Sequence, residues 1–232
     1  MYVAAGGNIQ DTGVLRGLLE YHILQNLHPS LSFDATPQFL PSILTNQSFT
    51  NVTGGQVVEV ISQNGEVSIF TAVKAQSKIT VPDALFIGGL IHQIDKVLTI
   101  PSTTPATITE AGLNDFVALL NLGGWLTDPV SAQTVINMKD LSCFGVNSPQ
   151  YSSSYTGFDG LDSASLLTIF DYALVVGPVA YSSRLQNGTV MKTLAGKDIT
   201  VTILGNDTYI DASKVIIRDY ITANGVLQVL DR

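Results

Sequence analysis

Two stretches of this chain, residues 77–95 and 213–231, carry the same pattern of residues. Ser77-Lys78-Ile79-Thr80-Val81-Pro82-Asp83 runs parallel to Ser213-Lys214-Val215-Ile216-Ile217-Arg218-Asp219, and at the same spacing Gly89-Leu90-Ile91-His92-Gln93-Ile94-Asp95 runs parallel to Gly225-Val226-Leu227-Gln228-Val229-Leu230-Asp231. Self-similarity at a fixed separation means one structural unit used twice. Within each closing segment apolar and polar positions alternate, which is the mark of a strand half buried on one face. The second copy's closing strand is therefore expected to bury either Val226 or Leu227, according to register.

The similarity extends upstream. Asp11-Thr12 opens a helical pattern through Val14-Leu15, Leu18-Leu19 and His22-Ile23, and Asp162-Ser163 opens another through Leu166, Ile169-Phe170 and Ala173-Leu174. Each begins with a residue suited to an N-cap and holds an acidic-Tyr pair, Glu20-Tyr21 and Asp171-Tyr172. Between helix and closing strand lie glycine-punctuated β segments. The first has Gly54-Gly55, Val57 to Ile61, then Asn64-Gly65 before Val67 to Phe70; the second has Gly196, Ile199, Val201 and Ile203, then Gly205-Asn206-Asp207 before Tyr209-Ile210. Asn-Gly between apolar runs is a strong hairpin signal. A helix followed by antiparallel strands, twice, predicts an α+β protein. The expected boundaries are a first repeat at 1–100, a Pro- and Thr-rich linker at 101–106 and a second repeat at 107–232. Only the second copy has an upstream section: a helix with Leu113, Phe116-Val117 and Leu119-Leu120 that breaks at Gly123-Gly124, then a mixed stretch through Val135 to Tyr151. The first copy has only residues 1–10 ahead of Asp11, so it is expected to lack the N-terminal part of its fold and to expose apolar surface near Ile79, Val81, Ile91 and Ile94 unless the second repeat or another chain covers it.

Composition excludes several functions. With 45% hydrophobic residues in 232, the chain can bury a sizeable core, and only 13% of it is charged. Its longest apolar run, Ala173 to Pro178 and on to Tyr181, is far shorter than the roughly 18 residues a membrane span needs. A net charge of -8 with eleven Lys and Arg is wrong for nucleic acid, which is bound by clustered cations. The single cysteine, Cys143, rules out an internal disulfide framework and reads as a buried thiol between Leu141 and Phe144. Four N-glycosylation sequons, at Asn46, Asn51, Asn187 and Asn206, point to a secreted protein. Neither a basic, apolar leader at Met1 to Gly7 nor a lipid-anchor tail after Leu230-Asp231-Arg232 is visible, so a secreted protein of this sequence is expected to be a fragment.

Together, Tyr21-His22-Ile23-Leu24, the Gly-Gly-led strand pair and the closing run Gly89 to Leu98 resemble the fasciclin (FAS1) domain. In the second copy Lys192-Thr193-Leu194-Ala195-Gly196 and Asn224 to Asp231 are similar to the same family, and Leu141 to Asn147 looks like a weakened form of its first conserved box. The resemblance covers nearly the whole chain. It implies two β-wedge domains with helices packed on one side, and a part in cell adhesion or in extracellular-matrix or cell-wall contact. It also implies binding residues, since the Tyr-His region and the Pro-Asp segment before the closing strand are linked to receptor binding in animal members. These fall at Tyr21, His22, Pro82, Asp83 and, less well, Asp219. The chain departs from the pattern where Ala173 follows Tyr172 and where Gln228 replaces the histidine seen at His92. The residues themselves leave a second reading open, in which Tyr21, His22 and His92 are packed, hydrogen-bonded core groups; this is favoured because buried Tyr and His polar atoms normally find partners.

A search for chemistry finds little. No Gly-x-Ser-x-Gly elbow, His-Glu-x-x-His pair, dinucleotide fingerprint or P-loop occurs. His22 and His28 are six apart, the wrong spacing for a helical metal pair, and the acidic residues Asp207, Asp211, Asp219 and Asp231 do not form a calcium loop. No catalytic residue, metal or cofactor is therefore expected, and nothing supports a Ser-His-Asp set built on His92 and Asp95. The expected function is non-covalent contact with cell-surface or matrix proteins or glycans, with self-association among the contacts. The alternative is a secreted enzyme acting on cell-wall glycans or esters, which would need paired carboxylates or a nucleophile in a cleft.

Overall fold

In a computed structural model, residues 11–125, 128–146 and 160–231 are described. The chain divides into two compact units, Met1–Pro101 and Ser102–Arg232. The first unit opens with helix α1 (Thr12–Tyr21), whose N-cap Asp11 accepts hydrogen bonds from the amides of Gly13 and Val14. Five strands follow, β1 (Gln38–Pro41), β2 (Val57–Gln63), β3 (Glu66–Thr71), β4 (Ala75–Phe86) and β5 (Gly89–Ile94), in an antiparallel sheet of order β1-β2-β3-β4-β5. Asn64 and Gly65 both take positive φ, 52° and 80°, so the β2–β3 turn has the geometry that an Asn-Gly pair allows. Tyr21, Phe33, Leu44, Val58, Val60, Ile69 and Leu98 form the core of this unit.

The second unit begins with three helices, α2 (Thr104–Glu110), α3 (Asn114–Leu122) and α4 (Pro129–Asn137). Strand β6 (Leu141–Val146) follows, then helix α5 (Ser163–Tyr172), capped by Asp162, and strands β7 (Leu174–Val176), β8 (Val190–Lys192), β9 (Asp198–Leu204), β10 (Asp207–Ile210), β11 (Ser213–Thr222) and β12 (Gly225–Leu230). Their order is β7-β6-β12-β11-β10-β9-β8, antiparallel throughout except that β6 runs parallel to β12. An isolated bridge, Val175 to Thr193, and a hydrogen bond from Leu194 N–H to Leu174 C=O at 2.9 Å bring the two ends of the sheet together. The curled sheet thus has an inside and an outside. Inside lie Phe144, Val175, Ala180, Leu185, Ile199, Val201, Ile210, Val215 and Leu230. Outside, Cys143, Leu227 and Val229 pack under the helices against Phe116, Leu120, Trp125, Leu166 and Phe170. The Trp125 and Phe170 rings meet at 4.6 Å.

Three expectations need correction. The closing strand of the second repeat does not bury one face: all six residues of β12 are buried. The reason is its place between β6 and β11, with the wedge interior on one side and the helices on the other. The alternation is real in β5, an edge strand whose Ile91 and Gln93 are exposed. Next, the segment 101–106 is half helix, because α2 starts at Thr104 and the division between units falls after Pro101. Finally, Val81 and Ile91 are about half exposed, at 48% and 55%, but Ile79 and Ile94 pack against the first unit's core. Asn147 and Tyr151 lie outside the described residues.

These placements separate two leucine-to-alanine and valine-to-alanine experiments. Leu230→Ala, inside the wedge, is expected to lower the stability of the second unit by about 2–5 kcal/mol in denaturant titration. Val190→Ala, on the exposed edge strand β8, is expected to stay within about 0.5 kcal/mol of the parent. An unchanged midpoint for Leu230→Ala would contradict the curled sheet.

Candidate binding site

The Pro-Asp segment lies at an irregularity in β4. Pairing with β5 shifts register between Val81 and Ala84, and pairing of β11 with β12 shifts likewise between Ile217 and Tyr220. Asp83 and Asp219 occupy the two shifts with the same φ of 59°, a left-handed conformation that Asp tolerates better than most residues. Their carboxylates do the same work. Asp83 accepts from the Ser30 amide at 2.9 Å and from the Ser30 hydroxyl, and Asp219 from the Ser182 amide at 2.8 Å and the Ser182 hydroxyl. Each bulge is thereby tied to a 3₁₀ turn, Ser30–Ser32 or Ser182–Arg184.

The closing strand completes each clamp. His92 Nδ1 accepts from the Asp83 amide at 3.3 Å while its Nε2–H donates to the His28 carbonyl at 2.9 Å. In the second repeat Gln228 Oε1 accepts from the Asp219 amide at 3.1 Å, and its Nε2–H₂ donates to the Ala180 carbonyl at 2.9 Å and to Asp219 at 2.8 Å. An amide offers an acceptor and a donor as a neutral imidazole does, so Gln228 keeps the bonds that the histidine makes. Reading His-to-Gln as a departure from the family pattern missed this equivalence, whose only sequence signal is that both side chains can donate and accept. Asp219 is 1% exposed and Gln228 fully buried, so both face the protein interior.

Tyr21 is also fully buried, its hydroxyl donating to the Val57 carbonyl at 2.8 Å. The half-buried His22 donates from Nδ1 to the Leu18 carbonyl at 2.7 Å and accepts at Nε2 from the Leu98 amide at 3.0 Å. The acidic-Tyr pair behaves differently in the second copy, where Tyr172 is 41% exposed and donates to Asp211 at 2.8 Å. That bond to a carboxylate, with some burial, raises its phenol above the ordinary range. Cys143 is fully buried in β6, and burial pushes its thiol up, away from nucleophilic use. Among the described residues no group of three or more His, Cys, Asp or Glu side chains is placed to hold a metal ion.

What remains open to a partner is the outer surface. Val81 and Pro82 are exposed beside Asp83, and Leu85, Phe86 and Ile87 are exposed at the β4–β5 hairpin. Of the sequon asparagines, Asn46, Asn187 and Asn206 are exposed and Asn51 is half buried. A groove of about 560 Å³ runs between His22–Leu24 and Leu27–His28 on one side and Gly88–His92 on the other, with Val58 and Ile69 among its lining.

The "Fasciclin domain" family model matches residues 7–101 and 154–232. A "Fasciclin-like arabinogalactan protein" of Arthroderma benhamiae is 29% identical over 220 residues, which are 95% of this chain and 51% of that protein. The "Fasciclin-like arabinogalactan protein elcF" of Phaeosphaeria nodorum is 23% identical over 220 residues, 94% of this chain and 68% of that protein. The chain therefore spans about half the length of the first relative. Among solved structures, the FAS1 domain pair from the insect cell adhesion molecule Fasciclin I aligns over 96% of this chain and 80% of its own, at 13% identity and a TM-score of 0.41.

The clamp should respond to acid. The Ser30 hydroxyl, then the Ser30 amide, hold the Asp83 carboxyl below the ordinary carboxylate range. A carboxylate with a depressed folded pKa contributes stability that is present above its unfolded pKa of about 3.9 and is lost as pH falls through the folded value. Asp83→Asn is expected to lower the first unit's denaturation midpoint at pH 7 and to flatten its decline below about pH 4. Parallel profiles for the two proteins would show that Asp83 does not hold the bulge.

Proposed function

The chain belongs to the fasciclin domain family, and we propose that it is an extracellular, glycosylated protein of the cell surface or cell wall. It acts by non-covalent contact with matrix proteins or glycans. The observation that carries this reading is the division of labour just described. The family's motif side chains, Tyr21, His22, Asp83, His92 and Asp219, are engaged in holding the backbone, whereas the sequon asparagines Asn46, Asn187 and Asn206 stand on exposed turns. Both nitrogens of His22 and of His92 bond to main-chain groups, so neither ring is presented to a substrate as a base. The relatives' printed name, "Fasciclin-like arabinogalactan protein", supports a wall-associated glycoprotein.

Among the five binding candidates the contact falls to Pro82, with exposed Val81 beside it. Asp83 sets the shape of that segment, and Tyr21, His22 and Asp219 act from within, by keeping strand and helix in place. Secretion from a glycosylating host should give a protein whose mass falls by one glycan for each of Asn46→Gln, Asn187→Gln and Asn206→Gln. On immobilised wall or matrix extract, a Val81→Asp/Pro82→Ser double variant should bind at least about tenfold more weakly, a loss of about 1.4 kcal/mol, with an unchanged melting midpoint. Unglycosylated secreted protein, or binding indifferent to the double variant, would count against the proposal. Turnover of glycan or ester substrates that His92→Gln abolishes would replace it with the enzymatic reading.

A further inference from the structure

We infer that the outer face of the first unit's sheet, across β2, β3 and β4, is a binding site for a neutral oligosaccharide chain. The inference rests on the reading of the chain as a wall or matrix protein, and it assigns a surface other than Val81 and Pro82. Strand register fixes which side chains share that face. Ile61 stands opposite Ser68, which stands opposite Lys78; Gln63 stands opposite Glu66, and Phe70 lies between Glu59 and Gln76. The alternate residues Val58, Val60, Ile69 and Ile79 belong to the core. A groove of about 430 Å³ lies on the outer face, with Asn64 of the β2–β3 turn, Ser68 and Phe70 among its lining. That volume is within the range of small-ligand sites, roughly 300–1,000 Å³.

The chemistry of this groove selects its occupant. Gln63, Asn64 and Gln76 are exposed, and each side-chain amide offers a carbonyl acceptor and an NH₂ donor. Gln76 Nε2 donates to the Ser68 hydroxyl at 2.9 Å, which leaves its carbonyl oxygen and a second amide hydrogen for a ligand. The charges around the groove are paired, Lys78 with Glu66 at 2.7 Å and Lys74 with the buried Glu59. An anionic chain would need cations without such partners, and an apolar peptide would meet only Ile61 and Phe70 among amides. Sugar hydroxyls both donate and accept, as the amides do. The C–H side of a pyranose carries the slight positive charge that the face of an aromatic ring attracts, and half-buried Phe70 supplies that ring.

The same face of the second unit shows that openness here is a property of the repeat. The helices of that unit pack over β6, β12 and part of β11, and β9 and β10 still leave Thr200 and Leu204 exposed. The ion pair repeats as well, with Lys214 and Asp207 at 2.7 Å. The groups suited to a sugar do not. Leu204 stands opposite Asp207 as Gln63 stands opposite Glu66. Asp211 follows Ile210 as Phe70 follows Ile69, and it is already bonded to the Tyr172 hydroxyl and the Thr200 amide. Two sequon asparagines also border that hairpin: Asn206 lies in the β9–β10 turn, and Asn187 accepts at Oδ1 from the Ile203 amide at 2.8 Å. The first unit's turn, Asn64-Gly65-Glu66, is not a sequon, so amides, ring and free approach occur together only there.

The test uses the full 232-residue chain with soluble laminarihexaose, chitohexaose, mannohexaose and galactohexaose as probes. With at least one of them, amide NMR spectra should show saturable shifts of the Ser68 and Phe70 backbone signals and of the Gln63, Asn64 and Gln76 side-chain NH₂ signals. A Gln63→Ala/Gln76→Ala variant should bind that probe at least about tenfold more weakly with an unchanged melting midpoint, since both side chains are exposed. Phe70→Leu, which keeps apolar volume without the ring, should weaken binding to a similar degree. Val81→Asp/Pro82→Ser should bind the probe as the parent does, so that failure of this site and failure of the Val81–Pro82 contact are told apart. No saturable shift with any probe, shifts centred on another face, or binding indifferent to the double glutamine variant would overturn the inference. So would saturable binding of hexagalacturonate alone, because an anionic chain needs cations that this face does not offer.

Discussion

The parallel pairing of β6 with β12 closes the second repeat. It makes the closing strand central instead of an edge, joins it through β7 to the far end of the sheet, and drives Phe144 into the wedge. It also turns Cys143 outward, where that residue joins Leu227 and Val229 under the helices. One six-residue strand therefore contributes to two cores at once. Burial of apolar surface stabilises by roughly 25 cal/mol per Å², so a strand buried on both faces contributes on the scale of a whole domain's net stability. Among the described residues of the first unit no strand pairs with the outer edge of β5, and Val81, Leu85, Phe86, Ile87 and Ile91 are exposed. At the hairpin tip the contrast is direct. Thr222 and Asn224 are buried because Thr104 and the carbonyls of Val135 and Met138 reach them, whereas Phe86 and Ile87 meet solvent.

The bulge clamp is independent of that closure. Its components come from three places in each repeat: an aspartate in the long strand, a serine in a 3₁₀ turn, and a side chain from the closing strand that both donates and accepts. Both units form it from a long strand, a 3₁₀ turn and a closing strand, so it organises the hairpin locally. A residue held at positive φ in a strand has a conformational cost, and the two or more charge-assisted bonds at each aspartate offset it.

Much of this was readable from residue patterns. The Asp11 and Asp162 caps, the Asn64-Gly65 turn and the alternation of Ile199, Val201 and Ile203 are local signals, and local chemistry set those elements where they were expected. The burial of β12 on both faces was not readable, because alternation in Gly225–Leu230 reports side-chain type and cannot reveal a neighbouring strand far upstream in the sequence. Nor was the parallel role of Leu141–Val146, a short apolar run with no period to distinguish helix from strand. The candidate residues were legible as positions but not as roles. Asp219, grouped with Pro82 and Asp83 as a contact residue, is a buried anchor, and only coordinates distinguish a carboxylate that faces a partner from one that faces its own backbone.

The edges of the two sheets show how the chain treats exposed strands. An unpaired edge is a hazard that proteins blunt with short strands, charge, proline or a cover. Strand β8 has three residues and ends in Lys192, and β1 has four and ends in Pro41, next to the bridge between Leu24 and Ser42. Strand β5 is longer, six residues from Gly89 to Ile94, with no Lys, Glu, Asp, Arg or Pro among them. Protection by charge or proline is thus present at β8 and β1 and missing at β5, whose counterpart β12 is covered. That asymmetry is what a sequence written for a covered strand would show.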